Sequence, residues 1–136
     1  MLIINKNSNN DWILTLSELA TLASPTFLFR CISDFNRTEK AFIATDLSDF
    51  TYRYNKFLIT ESTSEILTSG TVNFNPEGFW TYEVYEQTST TNLDYTQATN
   101  PIPIEIGRIY VIGSGTTIKR HTSSNTTYKG YGKGQV

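Results

Sequence analysis

One cysteine, one histidine and no apolar run near the roughly 20 residues of a membrane-spanning helix narrow this 136-residue chain before any motif is sought. A lone Cys31 excludes an internal disulfide framework. A lone His121, set between Arg120 and Thr122, has no second histidine or cysteine with which to form a transition-metal site, and no carboxylate follows it in the chain. Charge is also scarce, at 18% of residues, and the net charge is only −2. Met1–Ile4 is too short for the apolar segment of a secretory signal, so synthesis and retention in a cytoplasm are expected.

What the chain does have is β-chemistry. Aromatics reach 13%, with eight Tyr, eight Phe and two Trp, while Ser, Thr and Asn make up about a third of the residues. Bulky aromatics fill the space between two sheets, threonine suits outward strand positions, and Asn and Ser suit turns. At this length one domain with one sizeable core is expected.

Seven segments alternate with period two. After a turn-rich lead, Asn5–Asp11, the run Trp12–Leu16 places Trp12, Leu14 and Leu16 together. Ser17–Leu22 suits a single helical turn stopped by Pro25. Thr26–Ile32 sets Phe27, Phe29 and Cys31 against Leu28, Arg30 and Ile32, with Cys31 a small core filler. A polar connection through Asp34–Glu39 predicts a hairpin to Lys40–Thr45. Asp46–Asn55 reads as a mixed loop, Lys56–Glu61 and Thr71–Phe74 as strands, and Asn75-Pro76-Glu77-Gly78 as a turn.

Phe79–Glu86 places Trp80, Tyr82 and Val84 inward. Phe79, Thr81, Glu83 and Tyr85 then face solvent or a partner. In Ile104–Ile112 the alternation breaks at Gly107, which predicts a β-bulge. The expected core is Trp12, Phe29, Phe57, Trp80, Tyr82, Ile104, Ile109 and Val111, in an antiparallel sandwich.

The segment from Thr116 onward differs. It carries Lys119, Arg120, Lys129 and Lys133 and no acid, a charge of +4 that leaves −6 on Met1–Gly115. Its apolar residues are only Ile118, Tyr128, Tyr131 and Val136, too few for a core face. The chain therefore divides into a β-domain, 1–115, and a basic arm, 116–136, with Lys119, Arg120, Tyr128, Lys129, Tyr131 and Lys133 as candidate partner-binding residues. Four cations give a small counterion-release term and the acidic body repels a duplex, so no nucleic-acid partner is expected. Neither is a membrane partner.

Catalytic spacing is not found. Asp34, Asp46, Asp49 and Asp94 fall in loops, but none shows the one-three-five-glycine arrangement of a calcium loop, so turn formation is their expected role. Gly113-Ser114-Gly115 lacks the ending of a phosphate loop. No cofactor is expected.

The blocks INKNSNNDWILTLSE, PTFLFRCISD, IATDLSDFTYRYNKFLITE, LTSGTVNFNPEGFWTYEVYEQTSTTNLD and IEIGRIYVIG follow one another up to Gly113. Together they resemble a family of small virion proteins of tailed bacteriophages, those of crAss-like phages and relatives infecting Bacteroidetes. The order and spacing of Arg53-Tyr54-Asn55, Tyr85-Glu86-Gln87 and Asn92-Leu93-Asp94 carry the resemblance. Tyr95 departs from it, standing where a proline is expected. The resemblance implies an immunoglobulin-like β-sandwich of about seven strands, without catalytic residues, serving as a head auxiliary or decoration protein on the capsid surface. Its implied partners are the major capsid protein, copies of itself and head fibres. A tail, collar or fibre-anchoring protein, or a carbohydrate-binding module using Tyr52, Tyr54, Phe79 and Tyr85, are the alternatives.

Overall fold

The computed structural model describes residues 1–113. The alternating segments form strands β1 (Leu2–Asn5), β2 (Asn9–Leu14), β3 (Thr26–Ser33), β4 (Glu39–Ile43), β5 (Asn55–Glu61), β6 (Thr71–Val72), β7 (Gly78–Gln87) and β8 (Glu105–Ile112). They make two sheets, ordered β1-β8-β7-β3-β4 and β2-β5-β6. Antiparallel β8-β7-β3-β4 facing antiparallel β2-β5 is an immunoglobulin-like β-sandwich. The predicted hairpin is present between β3 and β4.

Two pairings differ from a purely antiparallel plan: β1 runs parallel to β8, and β6 parallel to β5. Strand β1, a four-residue run that only touches the Asn5–Asp11 lead, was also not expected, and β2 begins inside that lead at Asn9. Asparagines of the lead fasten the strand. The Asn5 amide donates to Asn10 Oδ1 at 2.8 Å, and Trp12 Nε1 donates to the Ile3 carbonyl at 3.2 Å. Ile4 is the β1 residue that enters the core.

Period-two alternation brings Trp12, Phe29, Phe42, Phe57, Phe74 and Trp80 into one aromatic core between the sheets, all essentially without solvent contact. Phe29 stacks on Phe42 at 5.2 Å and meets Phe57 edge-on at 5.1 Å, geometries that ring quadrupoles favour. Tyr82, Ile109 and Val111 are buried as expected, and Cys31 is enclosed with them. Ile104 lies at the margin, half-buried against this cluster.

Strand β8 carries no bulge at Gly107. Its register with β7 is unbroken from Val84↔Glu105 to Gly78↔Val111, with Tyr82 opposite Gly107. Ile106 therefore points outward, and the glycine answers a different need. A Cβ there would lie 2.5 Å from Tyr82 Cε1, so the Tyr82 ring occupies the space of the missing side chain. Its hydroxyl donates to Glu105 Oε2 at 2.6 Å, which fixes the ring in place. Gly107→Ala is expected to destabilise the fold by about 1–3 kcal/mol through overpacking. Urea denaturation checks this, and an unchanged midpoint would mean the ring moves aside freely.

The outer face of the larger sheet holds a second correction. Tyr85 was expected to face solvent or a partner, yet it is buried, as are Leu28 and Ile32 on the same face of β3. Leu28, Ile43 and Tyr85 are covered by the long β7–β8 connection, which lays Leu93, Tyr95 and Ala98 over them. A loop packed on an outer face leaves no period in the sequence, so strand alternation alone could not reveal it.

Candidate interaction surfaces

Three connections meet at one end of the sandwich: β2–β3, β4–β5 and β7–β8, the loop positions that variable immunoglobulin domains use for recognition. Buried polar side chains at strand ends hold them. Glu86, near the end of β7, accepts from the Thr21 amide at 2.8 Å, the Leu22 amide at 3.0 Å, the Thr21 hydroxyl at 2.7 Å and Asn100 Nδ2 at 3.1 Å. One carboxylate thus ties β2–β3 to β7–β8. Burial raises its affinity for a proton, but these hydrogen bonds outweigh that and hold Glu86 below the ordinary carboxylate range.

Asn55, the first residue of β5, performs the same task between β2–β3 and β4–β5. Its Oδ1 accepts from the Leu16 and Ser17 amides at 2.6 and 3.0 Å, and its Nδ2 donates to Asp46 Oδ2 at 2.6 Å. Gln87 closes the set by donating to the Ser89 and Asn92 carbonyls at 3.1 and 2.9 Å. The triplets Arg53-Tyr54-Asn55, Tyr85-Glu86-Gln87 and Asn92-Leu93-Asp94 thereby acquire a physical meaning, since each contains a residue that positions a loop.

The loop aspartates act as turn acceptors. Asp46 receives the Ser48 and Lys56 amides, and Asp94 caps a 3-10 turn, Tyr95–Gln97, through Thr96. Asp34 pairs with Arg108 and accepts from Thr81. Among the described residues no group of three or more His, Cys, Asp or Glu side chains converges as a metal site would require.

The anchored loops frame two adjoining clefts of about 360 and 380 Å3 that share Pro25 as a wall. Tyr52 lines the first, and Thr26, Thr45, Thr68 and Thr90 line the second.

A different surface lies across β1, β8 and β7 on the outer face. Register sets Ile3 beside Tyr110 and Tyr110 beside Phe79, and the two rings meet at 4.9 Å. Ile106 and Ile112 extend the strip along β8, and Ile106 is 61% exposed. Arg108 lies over the Phe79 ring at 5.3 Å, held there by Asp34.

Sequence reading found Phe79 but missed the other four. Ile3 sits in the unrecognised β1, and Ile106 was turned inward by the supposed bulge. The signal available was Ile109-Tyr110-Val111-Ile112, an unbroken β-prone run that supplies both faces of a strand. The six residues named in the arm, Lys119, Arg120, Tyr128, Lys129, Tyr131 and Lys133, lie outside the described residues.

The four aromatics considered for carbohydrate do not form one platform. Tyr85 is buried against Tyr95, and its hydroxyl is pushed up to about 12 by burial and by the Glu83 carboxylate beside it. Tyr52 belongs to the loop end, whereas Phe79 begins β7 at the other end.

No known protein family, curated protein or solved structure matches the chain. The fold and the two surfaces define an immunoglobulin-like β-sandwich with a framework-anchored loop end and an apolar strip on one outer face.

Proposed function

We propose that this chain is a non-catalytic structural protein of a bacteriophage particle, an auxiliary or decoration protein that binds the capsid lattice and stabilises the head. The observation that carries the reading is the exposed strip of Ile3, Phe79, Ile106, Tyr110 and Ile112. These five residues are between 37% and 61% exposed, and an exposed apolar patch of roughly 300–600 Å2 is often functional. The sequence resemblance supplies the particle. The charge division, −6 on Met1–Gly115 and +4 on the arm, suits contacts between neighbouring subunits.

The test uses particles that lack this chain and two versions of the protein, full-length and truncated after Gly115. Full-length protein is expected to rebind and to restore head stability to heat, while the truncated form folds but binds poorly. A cryo-EM map of the rebound particles places the domain on the capsid, or on the tail or collar if that alternative holds. Absence of full-length protein from every virion position would overturn the reading. Full binding by the truncated form would remove the arm from it.

A further inference from the structure

The outer face of β1-β8-β7-β3-β4 carries two apolar areas separated by the Arg30–Glu83 and Arg108–Asp34 ion pairs, and the chain covers only one of them. Leu93, Tyr95 and Ala98 lie over Leu28, Ile43 and Tyr85, whereas Ile3, Phe79, Ile106, Tyr110 and Ile112 stay exposed. The covered part shows what this face requires, an apolar segment laid across the strands.

We propose that the strip receives residues 114–136 of a second copy of this chain, so that the arm of each subunit docks on the β1-β8-β7 face of its neighbour. This rests on the reading of the chain as an assembling structural protein. Size favours a segment over a face-to-face dimer, since five exposed apolar residues fall well short of the roughly 20–30 residues that each partner contributes to a stable complex. Position favours the arm, because Gly113 leaves β8 directly after Ile112, at the end of the strip. Content agrees, with Ile118, Tyr128, Tyr131 and Val136 as the apolar residues of a segment whose +4 charge opposes the −6 of the rest.

Reach allows the neighbour. Tyr128 lies 15 residues past Gly113, up to about 50 Å when extended, while β8 runs only about 26 Å at 3.3 Å per residue. A segment of this length is therefore long enough to reach the strip of a neighbouring copy. Because arm and strip are different surfaces, the contact is head-to-tail, and it propagates until a ring closes or the chain of subunits ends.

Sedimentation of the full-length protein over a concentration series tests this, using two double variants. One replaces the strip (Phe79→Ser with Tyr110→Ser), and the other replaces the arm (Tyr128→Ser with Tyr131→Ser). Wild type is expected to gain mass with concentration, less so as salt rises. Each variant alone should remain monomeric, and an equimolar mixture should form a dimer and nothing larger, since it retains one intact arm–strip pair. If the strip variant fails to fold, Ile106→Lys at the most exposed of the five positions takes its place.

Three results would overturn the proposal: wild type monomeric at millimolar concentration, the strip variant associating as wild type does, or the arm variant associating alone through face-to-face packing. Particle rebinding reads the biological role and this mixing reads only the arm–strip contact, so either can fail while the other stands.

Discussion

Replacing Trp80 by Ala is expected to lower unfolding free energy by about 3–5 kcal/mol, the range for removing a large aromatic side chain from a close-packed core. Trp80 is fully enclosed, meets Phe74 edge-on at 5.2 Å and donates from Nε1 to the Pro76 carbonyl at 2.9 Å. Alanine would leave an apolar cavity and strip that carbonyl of its donor. Domains of this kind have about 5–15 kcal/mol in all, so roughly a fifth or more of the stability is at stake. Urea denaturation monitored by the remaining Trp12 measures it. A variant as stable as wild type would show that Trp80 does not hold the sheets together.

The second large effect is expected at Glu86. Removing its carboxylate in Glu86→Ala leaves the Thr21 and Leu22 amides, the Thr21 hydroxyl and Asn100 Nδ2 without their acceptor. An orphaned donor costs about 1–3 kcal/mol when fully buried; Thr21 is exposed and Leu22 and Asn100 only half-buried, so water recovers much of this and about 2–4 kcal/mol is expected in total.

The pH dependence has a definite sign. Burial pushes Glu86 upward, but its hydrogen bonds push it down further, so the folded value lies below the unfolded value near 4.3. A depressed carboxylate contributes stability in full above the unfolded value and loses it as pH falls through the folded one. Glu65 is lowered as well, with burial opposed by the stronger pull of Lys40 and the Asn73 amide, so it adds to the same acid limb. Stability measured from pH 6 to pH 3 should fall less steeply in Glu86→Gln than in wild type, yet should still fall. Superimposable profiles would show that the charge on Glu86 contributes nothing to loop anchoring.

Much of the sandwich was legible because its strands alternate. Trp12, Phe29, Phe57, Trp80, Tyr82, Ile109 and Val111 all lie inside, as period two requires. The failures share one cause, which is that a linear pattern records faces but not what later covers them. Tyr85 looked like a surface aromatic because Leu93, Tyr95 and Ala98, the residues that bury it, come from an irregular loop. Gly107 looked like a defect in β8 because its true partner, the ring of Tyr82, belongs to another strand 25 residues earlier. Strand β1 is a short apolar run, Leu2–Asn5, ahead of an asparagine-rich stretch, and the bond from the Asn5 amide to Asn10 that fastens it forms only once β2 is in place. The loop anchors were visible as triplets without a role, since nothing local distinguishes a buried Glu86 from a solvated one. The apolar strip needed both β1 and the correct phase of β8.

The anchoring of the loop end has a consequence for how such a chain can diverge. Asn55, Glu86 and Gln87 grip their loops through backbone amides and carbonyls as well as a few short polar side chains. Backbone groups are the same whatever residue bears them, so the way the loops are joined to the strands is stored in three framework positions, while Asp46, Asn92 and Asp94 shape the turns within the loops. Tips such as Thr90–Thr91 or Asp49–Tyr52 are then open to substitution, and the surface chemistry of this end can change while its architecture is kept. Kinship among such proteins would survive as a spacing of an asparagine, a glutamate and a glutamine against a pattern of buried aromatics, long after the letters between them had been rewritten.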